Sequence, residues 1–363
     1  MYSYKDVTQT THNNNNINNK APRTSHNNKK SIILLILMTF LILCIGTSIG
    51  SANTSIKDIL AIIGHKVFGI PLSKGIDNNS VAIIWNLRLP RVLLAFIVGG
   101  SLSISGAVVQ SVLKNPLASP YTLGVSSGAS LGVGLLIVTG FLMPFIGKLT
   151  MPIVGFLCGI GTVFVIVKFA STVDKGMSNT TIILSGMVFS LFFNAILTTI
   201  TALYSEDIKS IVLWQMGSFS MKGWSYVKIG LPFFIIGIIG VMIYSTEMDI
   251  LSFGEEQAKS VGVDTAKIKR NLLVFSALLT GSAVAISGTI GFVDLIVPHL
   301  VRRIFGAKHK NVIPLCAILG GCFMVITDLI ARTIIVPSEL PVGAITALIG
   351  APFFAYIYFK KSK

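Results

Sequence analysis

The chain has 363 residues, of which 52% are hydrophobic and only 12% charged, with a mean hydropathy of +0.79. Soluble domains carry about a quarter charged residues, so these values exclude one and describe a polytopic membrane protein. The net charge of +15 does not point to nucleic acid, because lysine and arginine cluster in short segments between apolar runs, where they set topology.

Residues 1–30 are repetitive and polar, with Asn13 to Asn16, Asn18, Asn19, Asn27 and Asn28 interleaved with Lys20, Arg23, Lys29 and Lys30. With almost nothing to bury, this is expected to be a disordered tail, leaving 31–363 as the transmembrane domain. Ile32 to Ile49 has the apolarity of a secretory signal, but the tail is long for one and further spans follow; a retained first helix is expected.

The moderately polar segment Ser51 to Leu87 is placed outside the membrane. Span two opens on Arg88-Leu89-Pro90-Arg91 and runs to Leu113, with Pro90 expected at a helix start, where its missing N–H is not needed. The two arginines admit two readings, charges at an outer mouth or long side chains snorkelling to the interface. Lys114 to Pro120 breaks the helix with two prolines. Spans three (Leu123 to Phe145), four (Leu149 to Phe169) and five (Thr180 to Tyr204) follow, and the pairs Gly128/Gly132 and Gly155/Gly159 have the spacing of close helix packing in lipid. Trp214 and Trp224 mark an interfacial segment between Ser205 and Tyr226.

Span six, Val227 to Tyr244, leads into the most densely charged stretch, a loop over 246–270 that holds five of the fourteen acids: Glu247, Asp249, Glu255, Glu256 and Asp264. Ser252 followed by Glu255 is a capping-box spacing, Ala258 and Val261 continue a short helix, Gly262 supplies a left-handed stop and Asp264 caps the next helix. This helix is either a surface on which a soluble partner pushes or a solvated connector.

Span seven, Asn271 to Ile290, carries Gly281 to Gly288, which echoes Gly99 to Gly106 of span two and hints at two inverted halves of four spans. Span eight is the short run Gly291 to Arg303. Span nine, Pro314 to Ile335, places Asp328 and Arg332 four apart on one face, in reach of a local ion pair. A turn over Val336 to Gly343 precedes span ten, Ala344 to Phe359. The fold expected is therefore all-α, with ten spans.

No G-x-x-x-x-G-K-[ST] occurs, so nucleotide phosphates are not expected to be cradled by this chain, and any ATPase must be another chain. The histidines and cysteines lack metal-ligand spacing, and no nucleophile or acid–base set suggests a membrane enzyme; neither cofactor nor metal is expected. Asp294 and Asp328 are the clearest intramembrane acids, few for a proton relay.

The blocks R-L-P-R at 88–91, K-N-P-L-A-S-P at 114–120, G-V-S-S-G-A at 124–129, W-Q-M-G-S at 214–218, G-E-E-Q-A-K-S-V-G-V at 254–263, G-F-V-D-L-I-V-P-H-L-V-R at 291–302 and E-L-P-V-G-A-I-T-A-L-I-G-A-P-F-F at 339–354 occur in one order over most of 85–360. Together they resemble the permease subunit of type II ATP-binding-cassette importers for iron chelates (siderophores, haem) and cobalamin. The asparagine-rich tail is not part of that pattern. The resemblance implies a homodimer or close heterodimer, two cytoplasmic ATPases and an extracytoplasmic substrate-binding protein. It places Arg88, Arg91 and Arg332 where the binding protein docks, and a coupling helix on Gly254 to Gly262. Ser252, Glu255, Glu256 and Ala258 complete the expected ATPase contact. The competing reading, an ion-coupled secondary transporter, rests on the inverted echo alone.

Lys29, Lys30, Lys114, Lys175, Arg270, Lys308 and Lys360 all fall on one side if ten spans are present, which puts both termini in the cytoplasm. Single-cysteine labelling at Ser362 should therefore require a permeabilised membrane; labelling from outside would mean an odd number of spans.

Overall fold

A computed structural model describes residues 28–50, 55–72 and 76–361, and the described residues fall into two units, one ending at Phe40 and one beginning at Leu41. All packing below lies within the second. The expected tail lies outside the described residues except for its last three, which open the first helix, and Ser362 lies outside them too.

The helices are α1 (Asn28–Ser48), α2 (Ile56–Phe68), α3 (Asn78–Ala82), α4 (Leu89–Val112), α5 (Val125–Thr139), α6 (Thr150–Val173), α7 (Asn179–Leu203), α8 (Ile208–Gln215), α9 (Trp224–Ile243), α10 (Ser245–Phe253), α11 (Glu255–Ser260), α12 (Thr265–Ser287), α13 (Val293–Phe305), α14 (His309–Thr333) and α15 (Val342–Lys361). There is no strand among the described residues. Among the described residues six helical runs are long and apolar enough to cross a membrane, and Leu34–Ser48, Val125–Thr139 and Val342–Tyr356 are shorter apolar helices. With the short helix α13 these come to about the ten segments expected.

One expectation is corrected. Pro90 does not start a helix: α3, a π-helical turn Ile83–Arg88 and α4 form one helical run, Asn78–Val112, of 35 residues. Proline lacks an N–H and its ring presses on the carbonyl four residues back. The π turn widens the helix just before it, with the Leu89 N–H donating five residues back to the Ile84 carbonyl. Arg88 and Arg91 therefore sit inside a helix that continues beyond them toward α2. Trp224 packs against this extension, donating from its indole to the Trp85 carbonyl at 2.7 Å with the rings 5.0 Å apart.

The α4 run is the axis of the bundle, 89% buried over its most apolar window, against 22% for α7. Lipid provides no hydrophobic drive between helices, so association depends on close approach and hydrogen bonds. Glycines supply the approach: a side chain at Gly99 would collide with the Gly320 carbonyl of α14, and one at Gly106 with the Asp294 backbone of α13. Hydroxyls supply the bonds, Ser105 meeting Ser276 and Thr280 of α12 at 2.5 Å each. The paired glycine spacings interlock as expected, Gly128 and Gly132 against Cys158 and its neighbours on α6, Gly155 and Gly159 against Val133 and Val125 on α5.

The echo between spans two and seven has a structural counterpart. α4 packs on α14 and α12 packs on α6; α5 packs on α6 and α7, as α13 packs on α14 and α15. Exchanging α4–α7 for α12–α15 thus maps one set of contacts onto the other. In each half the second helix begins after one left-handed residue, Gly124 (φ 71°) before α5 and Phe292 (φ 70°) before α13. The first helices start from opposite ends of the bundle, α4 beside Arg332 and Glu339, α12 beside Glu255, so the halves are inverted.

A β-carbon at Gly99 must displace backbone, so Gly99→Val should destabilise the detergent-solubilised protein by about 1–3 kcal/mol or more. Gly161, with open space around its β-carbon position, provides the comparison. Thermal unfolding should show a lowered midpoint for Gly99→Val and none for Gly161→Ala.

Candidate functional site

Charge collects at the two ends of the bundle. At the α4 entry, Arg88, Arg91 and Arg332 line one cavity of about 570 Å³ together with Lys222 and Glu339. The resemblance brought these arginines together in prediction and the fold brings them together in space, but their side chains are largely buried and already engaged. Arg88 donates to the carbonyls of Thr47 and Ser48, at 3.4 and 3.0 Å, and Arg332 donates to that of Gly46. These are the last turn of α1, whose unpaired carbonyls and negative dipole end favour cations. Arg332 also stands 3.8 Å from Asp328, the i,i+4 pair expected from the sequence.

Arg91 is held by two carboxylates. Its Nε donates to Asp328 at 3.1 and 3.0 Å and its Nη2 to the same group at 2.8 Å; Nη1 and Nη2 donate to Glu339 at 2.7 and 3.0 Å. Hydrogen bonds from Arg91 hold the Glu339 carboxyl below its ordinary range, against partial desolvation. The pair's contribution to stability is therefore complete above the ordinary carboxylate range and is lost only as pH falls through the lowered value. Lys222, in the turn between α8 and α9, donates to the Ile286 carbonyl and lies 5.6 Å from the centre of the Tyr226 ring; burial pushes its amine down to about 8.

At the opposite end lie the expected coupling residues. The capping box of Ser252 and Glu255 is corrected by the structure. Ser252 is inside α10 and donates to the Asp249 carbonyl at 2.6 Å, while Gly254, at φ 141°, is the residue before α11. Only glycine tolerates that backbone, so the chain breaks there and Ser252 cannot reach the start of the next helix. Glu255 is used differently, meeting Lys269 of α12 at 2.5 Å. Lys269 is fully buried and also donates to the Met177 carbonyl at 3.1 Å and to Asn179 Oδ1 at 2.9 Å, at the start of α7.

The glycine stop and the cap of α12 are as expected, whereas Val261 lies just past the end of α11 instead of continuing it. Gly262 is left-handed (φ 85°), with its N–H on Lys259 and the Val263 N–H on Ala258, the pattern of a glycine helix stop. Asp264 caps α12 through the Lys267 N–H at 3.0 Å. Ala258 is buried, while Glu256 is exposed, and Phe253 and Val261 stand 77% and 66% exposed beside it.

Three connections were not read from the sequence. Asp249 accepts from both the backbone N–H and Nδ1 of His309, at 3.0 and 2.6 Å, and the other ring nitrogen of His309 meets Ser111 at 2.6 Å. Arg302 donates to Gln110 at 2.5 Å and to the Ala107 carbonyl at 3.0 Å, joining α13 to α4. Glu339 pairs with Arg91 across 248 positions. Each joins residues 60 or more positions apart, and only Asp249, by lying in the charged loop, carried a signal.

The FecCD transport family model matches residues 35–360. The chain is 44% identical over 321 residues to an uncharacterised ABC transporter permease of Bacillus subtilis, covering 88% of this chain and 91% of that one. It is 36% identical to the hemin transport system permease HmuU of Yersinia pestis, covering 78% and 85%. The cobalamin import system permease BtuC of Halobacterium salinarum is 38% identical, covering 80% and 77%. A solved inward-facing structure of a metal-chelate type ABC transporter superposes with a TM-score of 0.79 at 32% identity, covering 92% of this chain and 99% of that chain.

Removing Glu255 leaves the Lys269 ammonium buried with two neutral oxygens, so Glu255→Ala should cost about 2 kcal/mol, less than a fully buried pair because Glu255 is part exposed. Hydrogen exchange should show reduced protection across α11. Combining Glu255→Gln with Lys269→Met, which removes the charge as well as its partner, should restore most of it.

Proposed function

The chain belongs to the FecCD transport family and is an ABC transporter permease, and from that premise we propose that it forms the membrane pathway of an ATP-driven importer of an iron–siderophore or related iron chelate. Relatives named for hemin, cobalamin and Fe(3+) dicitrate keep haem and cobalamin as alternative cargoes of the same machine. In this reading two permease chains, alike or closely related, enclose the path. Two cytoplasmic ATPase subunits hydrolyse ATP, and an extracytoplasmic substrate-binding protein delivers the chelate at the Arg88, Arg91 and Arg332 end. The chain lies in the cytoplasmic membrane with both termini inside.

The observation that carries the proposal is the short helix α11. It is set off by Gly254 and Gly262, exposes Glu256 between Phe253 and Val261, and is tied by Glu255 to Lys269 and through it to α7. An isolated apolar side chain at the surface means little, but two beside an exposed acid on a rigid projection suit a protein partner. A push on α11 reaches the spans through the ion pair to the buried Lys269 rather than a flexible tether.

Ala258 donates its N–H to the Gly254 carbonyl at 3.0 Å. Proline there removes that bond and presses on the preceding turn, at about 3 kcal/mol, more than a helix this short absorbs. In proteoliposomes holding the permease with its ATPase, Ala258→Pro should abolish ATP-dependent uptake of radiolabelled ferric hydroxamate, haem or cobalamin, whichever the wild type carries. ATP hydrolysis should no longer respond to the loaded binding protein. Normal uptake with normal stimulation would return this loop to a solvated connector.

A further inference from the structure

Every side-chain nitrogen of Arg91 is engaged. Of its five N–H donors, four are directed at Asp328 and Glu339. The two carboxylates differ in one respect that matters for a partner arriving from solvent. Asp328 is 1% exposed, enclosed within α14, and Glu339 is 36% exposed, on the turn between α14 and α15. Evicting Asp328 would need the bundle to open. Displacing Glu339 by another carboxylate would keep the guanidinium paired throughout, avoiding the cost of an uncompensated charge.

Glu339 is also the first link of a chain of backbone contacts. The next residue, Leu340, donates to the Ala331 carbonyl at 2.9 Å; Val342 and Gly343 donate to Gly217 and Met216 at 3.1 and 3.2 Å. From that turn Ser218 donates to the Ser287 carbonyl at 2.8 Å, and Thr289 donates to that of Gln215. The α14–α15 turn, the 214–218 turn and the end of α12 thus form one hydrogen-bonded patch. Glu339 pins its edge to Arg91, and touches Ser220 as well.

We propose that Glu339 is an internal stand-in for a carboxylate of the extracytoplasmic binding protein, and that exchange of one for the other at Arg91 frees the turn joining α14 to α15. The inference rests on the docking reading above and adds to it a competitor and a consequence. The arginine is kept occupied until the partner arrives, so docking replaces a contact instead of adding one, and the replaced segment is the one bonded to the end of α12.

The test uses the permease–ATPase complex in nanodiscs and a purified substrate-binding protein that stimulates the wild-type complex. Glu339→Gln weakens the competitor without altering its size, so binding should tighten about tenfold and its salt dependence should steepen. Glu339→Asp, which keeps the charge on a shorter arm, should fall between and controls for folding. Arg91→Gln should weaken binding in either background. A nitroxide on Ser338→Cys, an exposed position, should gain mobility on docking in the wild type and be mobile beforehand in Glu339→Gln. Unchanged or weaker binding in Glu339→Gln, with Arg91→Gln still impaired, would overturn the stand-in and leave docking intact. Full binding by Arg91→Gln would remove the docking reading and this inference with it. A label in Glu339→Gln as immobile as in the wild type would overturn release of the turn.

Discussion

The structure depends on backbone-to-backbone approach along α4. Between helices in lipid, apolar surface gains nothing by changing neighbours, so a helix can occupy the centre only if it offers others a closer contact than lipid does. Gly99 against Gly320, Gly106 against the Asp294 backbone, and the Ser105 hydroxyl between Ser276 and Thr280 are such contacts, on three different partners. Every other position of interest takes its place from them. Arg91 faces Asp328 because α4 and α14 touch at Gly99 and Gly320, and Ser111 reaches His309 because the same pair of helices stays together to the other end.

Much of this was legible because membrane length and small-residue spacing are strong local signals. The span order, the glycine pairs and the repeated Gly99–Gly106 and Gly281–Gly288 stretches correspond to observed helices and to contacts that recur in two inverted halves. Local rules failed where two of them competed. Pro90 reads as a helix start, yet a π turn allows the helix to run through it. Ser252 and Glu255 have capping-box spacing, yet the intervening Gly254 takes a conformation that separates them, and each finds another partner. Spacing says which residues could meet within a turn of helix; it does not say whether a buried lysine from the next helix will offer one of them a better bond.

At the candidate sites the sequence named residues that the fold groups together, but not how those residues are paired. Resemblance singled out Arg88, Arg91 and Arg332, and they share a cavity, but nothing local to those residues announces that α1 ends against two of them or that Glu339 holds the third. These partners lie as far as 286 positions away. Their pairing follows from a general constraint: at the edge of a membrane domain a guanidinium that is shielded from water must find carbonyls or carboxylates within the protein. Three arginines drawn together by sequence would repel; the carbonyls of one helix end and two carboxylates make the cluster tolerable.

The same constraint bears on how the two ends differ as switching elements. At the Glu255 end, Lys269 is buried at the meeting of α11, α12 and the start of α7, and Asn179, besides accepting from it, donates to the Leu113 carbonyl that closes α4. A cation with three oxygens around it and no open side can only move with all of them, so this junction behaves as a rigid joint. At the Arg91 end one of the two carboxylates is open to solvent, and the guanidinium can change partners without ever being bare. Burial therefore separates the two ends: the Lys269 charge is fully enclosed and the Arg91 cluster is half-enclosed. On the proposed reading the enclosed charge would transmit displacement from a driving partner on one face, and the half-enclosed one would register the arrival of a partner on the opposite face.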